Sequence, residues 1–298
     1  MLADIMVAGE NIVQTGKALE HVARQAAGTA VDGFRGNNSG FDAAWVQATI
    51  KYTGGNTEGE APQNTRQVTT GSMHVNYGID MSQGGLVPGG PLNAAIQGQD
   101  FFVLRNTEAA GSSNQEFYTR ASNFHFKKDG SIVDSHGRSL MGFEMVNGQV
   151  DMTRLTTIKV DPTIHDLNDI GFEADGILTT NYAARKNAIE NGDAILPEGE
   201  KLFQIALAKV PQPEHMDHAA GTSFTTNLES GRTTGYVVSS ADGSSVSGGQ
   251  SESSNINPAE ITVIGVTMQR KLQAEQAGFT LLIGSLNKII QMADKAAG

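Results

Sequence analysis

Apolar positions recur at alternating steps of three and four at both ends of this chain. Near the start they are Ile5, Ala8, Ile12, Leu19, Val22 and Ala26, with Thr15 in the same series. Near the end they are Leu272, Phe279, Leu282, Leu286, Ile289 and Ala293, with Glu275 as the charged interruption. That spacing predicts an amphipathic helix at each end, and neither stripe can bury itself alone, so the two should pack on each other or on neighbouring copies. The first helix is expected over residues 2–31, with Gly9, Gly16 and Gly28 as its weak points. The second opens at Asn257-Pro258-Ala259-Glu260, where an Asn cap precedes a first-turn proline, and runs to about Ala293.

Between the helices the pattern changes to short apolar runs punctuated by turns. Ala94-Ala95-Ile96, Phe101-Phe102-Val103-Leu104, Phe124-His125-Phe126 and Phe203 to Ala208 read as strands. Asp129-Gly130, Asn147-Gly148 and Asp175-Gly176 sit between strand-like stretches, which is the strongest short-range hairpin signal. The fold class expected is α+β: N- and C-terminal helices packed as a coiled coil in an inner domain, plus a mainly antiparallel β-rich outer domain formed by the central chain. The boundaries follow from composition. Residues 1–35 form the first inner helix, 36–66 an extended linker, 67–238 the β domain, 239–257 a flexible Ser/Gly linker, and 258–298 the second inner helix. Residues 239–257 carry almost no apolar side chains to offset the entropy of ordering. The stretch Asn181 to Glu200 is a polar excursion, read as a short helix or a surface loop.

Composition narrows the function classes. The chain has 298 residues, 32 acidic against 21 basic side chains and a net charge of −11, which argues against nucleic acid as a partner. Cysteine is absent, so disulfides, thiolate metal sites and cysteine nucleophiles are excluded. The start, MLADIMVAGENIV, has neither a basic leader nor a sustained apolar stretch, so no cleaved signal peptide is expected. No stretch approaches the roughly 18 apolar residues of a membrane span.

Candidate chemistry is sparse. His215-Met216-Asp217-His218 has i, i+3 spacing that would serve a metal on a helix, but no third ligand stands nearby and a loop is the simpler reading. Each Asp-Gly pair offers one carboxylate where a calcium loop needs several oxygens at alternate positions. Neither a phosphate-cradling loop nor a nucleophile elbow occurs. No catalytic, cofactor or metal residue is assigned, and the chain is not read as an enzyme.

Longer strings carry a resemblance. Pro91-Leu92-Asn93-Ala94-Ala95-Ile96-Gln97-Gly98-Gln99-Asp100-Phe101-Phe102-Val103 is similar to the G-x-P-L-D-L-A-I-x-G-x-G-F-F-x-V signature of bacterial flagellar rod and hook proteins. Tyr118-Thr119-Arg120-Ala121-Ser122-Asn123-Phe124, running on to Asp129-Gly130, resembles their Y-T-R-A-G-N-F run. Gly137 to Gly142, Phe203 to Pro213, Glu229-Ser230-Gly231 and Glu252 to Asn257 follow in the family's order. The helix motifs depart from it. Only Gly33-Phe34-Arg35 survives at the end of the first helix, and Lys271-Leu272 replaces a small and an aromatic residue after Gln269-Arg270.

The resemblance implies a structural axial subunit that polymerises into a hollow helical tube, transmitting torque and passing export substrates. Its partners would be copies of itself, neighbouring flagellar axial proteins and the flagellar export apparatus, with no nucleic acid and no membrane insertion. Its place would be the basal body or hook, periplasmic to extracellular. Too few residues separate Gly142 from Ile170 for the extra outer domain of hook proteins, so rod is favoured over hook. The alternatives are a hook protein lacking that domain and a subunit of a related non-flagellar extracellular filament. A β-rich secreted enzyme or carbohydrate-binding module has the least support. The assembly residues expected are Ile5, Ile12, Leu19, Val22, Ala26, Gln269, Arg270, Leu272, Phe279, Leu282, Leu286 and Ile289. The β core expected from the motifs comprises Pro91, Leu92, Ile96, Gly98, Phe101, Phe102, Tyr118, Arg120, Asn123, Phe124 and Gly130.

Overall fold

The computed structural model describes residues 2–49, 67–106, 115–193, 196–239 and 243–297. The fold is α+β, and the chain divides into two compact units. One comprises Met1–Ala26, Asn38–Tyr77 and Asn257–Gly298; the other comprises Ala27–Asn37 and Gly78–Ile256.

The first unit contains helix α1 (Leu2–Gly28) as far as Ala26 and the 40-residue terminal helix, here α3 (Pro258–Ala297). It also contains most of a two-stranded sheet, Asn37–Thr49 beside Gln67–Ile79. Part of the expected 36–66 linker is therefore a strand; residues 50–66 lie outside the described residues. The strand Gln67–Ile79, assigned from sequence to the β domain, groups through Tyr77 with the helices.

The second unit is an antiparallel sheet. Its strands run in the order Gly171–Phe172, Ile177–Thr179, Lys201–Ile205, Ser139–Val146, Phe101–Arg105, Glu116–Thr119, Ser223–Thr225, Asp217–His218. The run Phe101-Phe102-Val103-Leu104 is apolar at every position because its strand is covered on both faces. Phe102 and Leu104 enter one core cluster with Ile132, Ile158, Phe172 and Leu178. Phe101 and Val103 enter a second with Tyr118, Met141 and Phe224. Side chains that alternate by two along a strand produce that division. Asn147 and Gly148 take left-handed φ values of 52° and 77° between Val146 and its partner Gln149, the two-residue turn their sequence demands.

The expected flexible linker at 239–257 contains two paired strands. Ser245–Gly248 lies antiparallel to Ala94–Gln97, and Gln250–Glu252 to Leu86–Pro88. Ladder hydrogen bonds use backbone atoms, so serine and glycine serve once distant strands offer an edge. Val246, Ser251 and Glu252 are buried there. The excursion after Asn181 begins as helix α2 (Tyr182–Asn191), closed by Gly192 in the left-handed region.

Candidate assembly interface

Asn257 caps α3 through its side chain, which accepts from the Ala259 amide at 3.0 Å, with Pro258 first in the helix and Glu260 in the first turn. Along α3 the buried and half-buried positions Ile261, Gly265, Met268, Leu272, Glu275, Phe279, Leu282 and Leu286 alternate by four and three, with Ile264 half-buried beside Gly265. Along α1 the series Ala8, Asn11, Thr15, Ala18, Val22 and Gln25 does the same. The helices touch at two levels. A methyl on Gly265 would stand 3.5 Å from Val22 Cγ1, and one on Gly9 would stand 3.8 Å from Phe279 Cε2. Rising numbers on one helix meet falling numbers on the other, so the pair is antiparallel.

Of the assembly residues expected from sequence, Val22 is buried, while Ile5, Ile12, Leu19, Leu272, Phe279, Leu282 and Leu286 are half-buried. Ala26, Gln269, Arg270 and Ile289 are exposed. Sequence reasoning passed over Ala18, Gln25, Ile261 and Met268, all buried. Their seven-residue spacing was present, but alanine and glutamine do not announce a seam. By the same register, Leu2 reaches about as far as Leu286, so the last turns of α3 extend beyond α1 with Ile289, Ile290 and Met292 exposed.

A buried ion cluster lies in the β-rich unit. Glu252 receives Arg35 Nη2 on Oε1 at 2.8 Å and Arg120 Nη1 on Oε2 at 3.4 Å, and no side chain of the three is more than 1% exposed. Its Oε1 also accepts from the Gly84 amide at 2.9 Å. Arg35 further donates to the Ser82 carbonyl and Arg120 to the carbonyls of Ile96 and Gly98. The Arg120 guanidinium sits 5.1 Å over the Phe101 ring. Burial, with the nearby Arg35 charge, pulls the Arg120 pKa down to about 10, and burial lowers that of Arg35. Asn255 adds its amide to the carbonyls of Asp80 and Ser82 and accepts from the Gly36 amide. The segment leaving α1 and the segment entering α3 are thus joined through charged side chains to the same β unit.

The remaining motif residues lie in the apolar core, at turns or on the surface. Phe102 meets Phe124 edge-on at 5.5 Å, and Phe101 meets Phe224 at 6.1 Å. Ile96 is buried in the apolar core with Phe102, Leu92 packs against that core, and the Pro91 carbonyl accepts from the Phe172 amide. Gly98 holds a φ of 134° with Ser244 against it. Gly130 is buried; Asn123 is exposed.

Glu116 forms a second polar cluster with Arg105 (2.7 Å), Tyr118 (3.0 Å) and Tyr236 (2.5 Å). Burial alone would raise its pKa, but the donated hydrogen bonds outweigh it and lower the value below 4.5. A depressed carboxyl contributes stability above its unfolded pKa and loses it as pH falls through the folded value. Thermal melts between pH 6 and pH 3 should therefore decline less steeply in Glu116→Gln than in the parent chain. Equal slopes would remove Glu116 from the acid response. The same environment pushes the Tyr118 phenol up to about 12 and raises Tyr236, so both stay protonated at neutral pH.

His215 ends a short 3-10 turn and His218 lies on a strand, so the pair does not share a helical face. His218 meets Asn37 Oδ1 at 3.0 Å and the Phe224 ring at 4.9 Å. Among the described residues no cluster of metal-ligating side chains forms, and no helix is long and apolar enough to cross a membrane.

No curated protein matches the chain. Residues 95–180, which hold the central strands and most of the motif core, match the family described as flagellar hook protein FlgE/F/G D1 domain. That match makes the stretch carrying Phe101, Phe102 and Arg120 similar to the D1 domain of flagellar hook-type proteins.

Proposed function

We propose that the chain is an axial subunit of the bacterial flagellum, of rod rather than hook type, that polymerises into a hollow helical tube. The tube transmits torque and passes export substrates, with α1 and α3 lining it as a coiled coil and the β unit outside. The observation that carries this is the pair of long striped helices flanking a D1-type domain. Each covers the other's stripe only in part, and the end of α3 keeps Ile289, Ile290 and Met292 exposed. Such a surface is satisfied by neighbouring copies in a head-to-tail contact whose rotation does not close. Rod is favoured because residues 143–170 hold only short strands and turns, without room for an added domain. The adjoining axial proteins and the export apparatus are the partners this reading assigns.

Negative-stain electron microscopy of the full chain across a concentration series, beside a fragment lacking residues 1–31, tests it. Tubes from the full chain alone are expected. Tubes from the truncated chain would move the assembly contact off the helices, and a full chain that stays monomeric throughout would overturn self-assembly.

A further inference from the structure

A polar groove of about 460 Å³ lies beside the strands Glu116–Thr119 and Ser223–Thr225. Its floor is Glu116, Tyr118, Thr233 and Tyr236, already joined to one another and to Arg105 by hydrogen bonds. The phenols and the carboxylate of that floor are engaged with one another and with Arg105. At the rim stands Arg232, exposed and with no ion pair among the described residues. With Glu116 balanced by Arg105, Arg232 is the one unpaired charge among the described lining residues of the groove, on a chain of net charge −11.

A complementary surface occurs at the C-terminal end of α2. A helix presents partial negative charge there and favours cations. In α2 the order is reversed: Arg185 and Lys186 stand in its first half, while Glu190 lies in the last turn and Asp193 just beyond Gly192. Both carboxylates are exposed and without a partner among the described residues, and Ile189 beside them is 60% exposed. Two acids on a negative helix end are a local conflict that an external guanidinium would relieve.

We propose that the Arg232 groove of one copy receives the acidic end of α2 of a second copy, an inference that rests on the polymer reading above. A small free anion would meet one guanidinium in water; the helix end adds two carboxylates, carbonyl dipoles and an apolar side chain. Topology suits the contact. Helix α2 connects Ile177–Thr179 to Lys201–Ile205 toward one edge of the sheet order, and the groove lies toward the other edge. Two different surfaces placed apart on one domain give a heterologous contact that can repeat along a filament.

Because the chain contains no cysteine, single substitutions report the contact directly. Full-length R232C and D193C chains are mixed and oxidised gently. The 232–193 heterodimer should exceed either homodimer by about tenfold, as proximity raises effective concentration, and added salt should lower it. A statistical mixture of dimers would overturn the contact. In parallel, R232E should associate more slowly than the parent, and mixing it with E190R/D193R chains should restore association; failure of that rescue also counts against the contact. The two readings separate cleanly. Selective cross-linking without tubes would retain the contact and sink the polymer, whereas tubes with statistical cross-linking would do the reverse.

Discussion

Glu252→Ala is expected to destabilise the β unit by about 3–5 kcal/mol, the range for removing one partner of a buried ion pair. The guanidiniums of Arg35 and Arg120 are 1% and 0% exposed, so neither can turn to water when the carboxylate goes. Their mutual repulsion then stands against only the more distant charges of Asp80 and Asp100. The Gly84 amide loses its acceptor as well. Burying three charges is costly in itself, so the cluster is weak support for net stability, and its removal is costly because two charges are left behind. Glu252→Gln keeps one acceptor oxygen without the charge and should fall between parent and alanine variant. Urea unfolding of the full chain followed by near-ultraviolet circular dichroism would read the effect. An alanine variant within about 1 kcal/mol of the parent would mean that solvent reaches the site and the cluster is not the anchor described.

The position of that cluster explains what sequence could and could not reveal. Arg120 was marked by its motif, and Glu252 stood in another, yet Arg35 and Glu252 are 217 positions apart and nothing local announces their pairing. Local signals fared better. The Asn147-Gly148 turn, the Phe101–Leu104 strand and the Asn257 cap are set by neighbours in the chain, and each was legible. The strands at 245–248 and 250–252 were missed because their ladders are completed by residues 86–97, while their own side chains resemble a linker. In the terminal helices the stripe was visible but drawn on its most apolar face. Beside Val22, which the stripe included, the pair buries Ala18 and Gln25, where small or flexible side chains permit close approach.

Gly130→Ala should cost about 3 kcal/mol or more, and Gly137→Ala only about 1 kcal/mol, although both glycines sit in similar turns. Their φ values, 81° and 78°, carry the same penalty for a side chain in the left-handed region. What differs is space. A methyl on Gly137 meets nothing within 4 Å, whereas one on Gly130 would stand 1.7 Å from the Val160 carbonyl oxygen. That oxygen cannot swing away, because the Val160 amide is itself bonded to the Gly130 carbonyl at 2.9 Å and Ser131 bridges to Lys159 beside it. The turn must either open or push the Lys159–Val160 segment off Ile132 and Ile158 in the core. Paired denaturation curves decide the matter. A gap of about 2 kcal/mol between the variants would assign Gly130 to close backbone packing. Equal losses would reduce both glycines to turn conformers and leave the Asp129-Gly130 motif with no packing role.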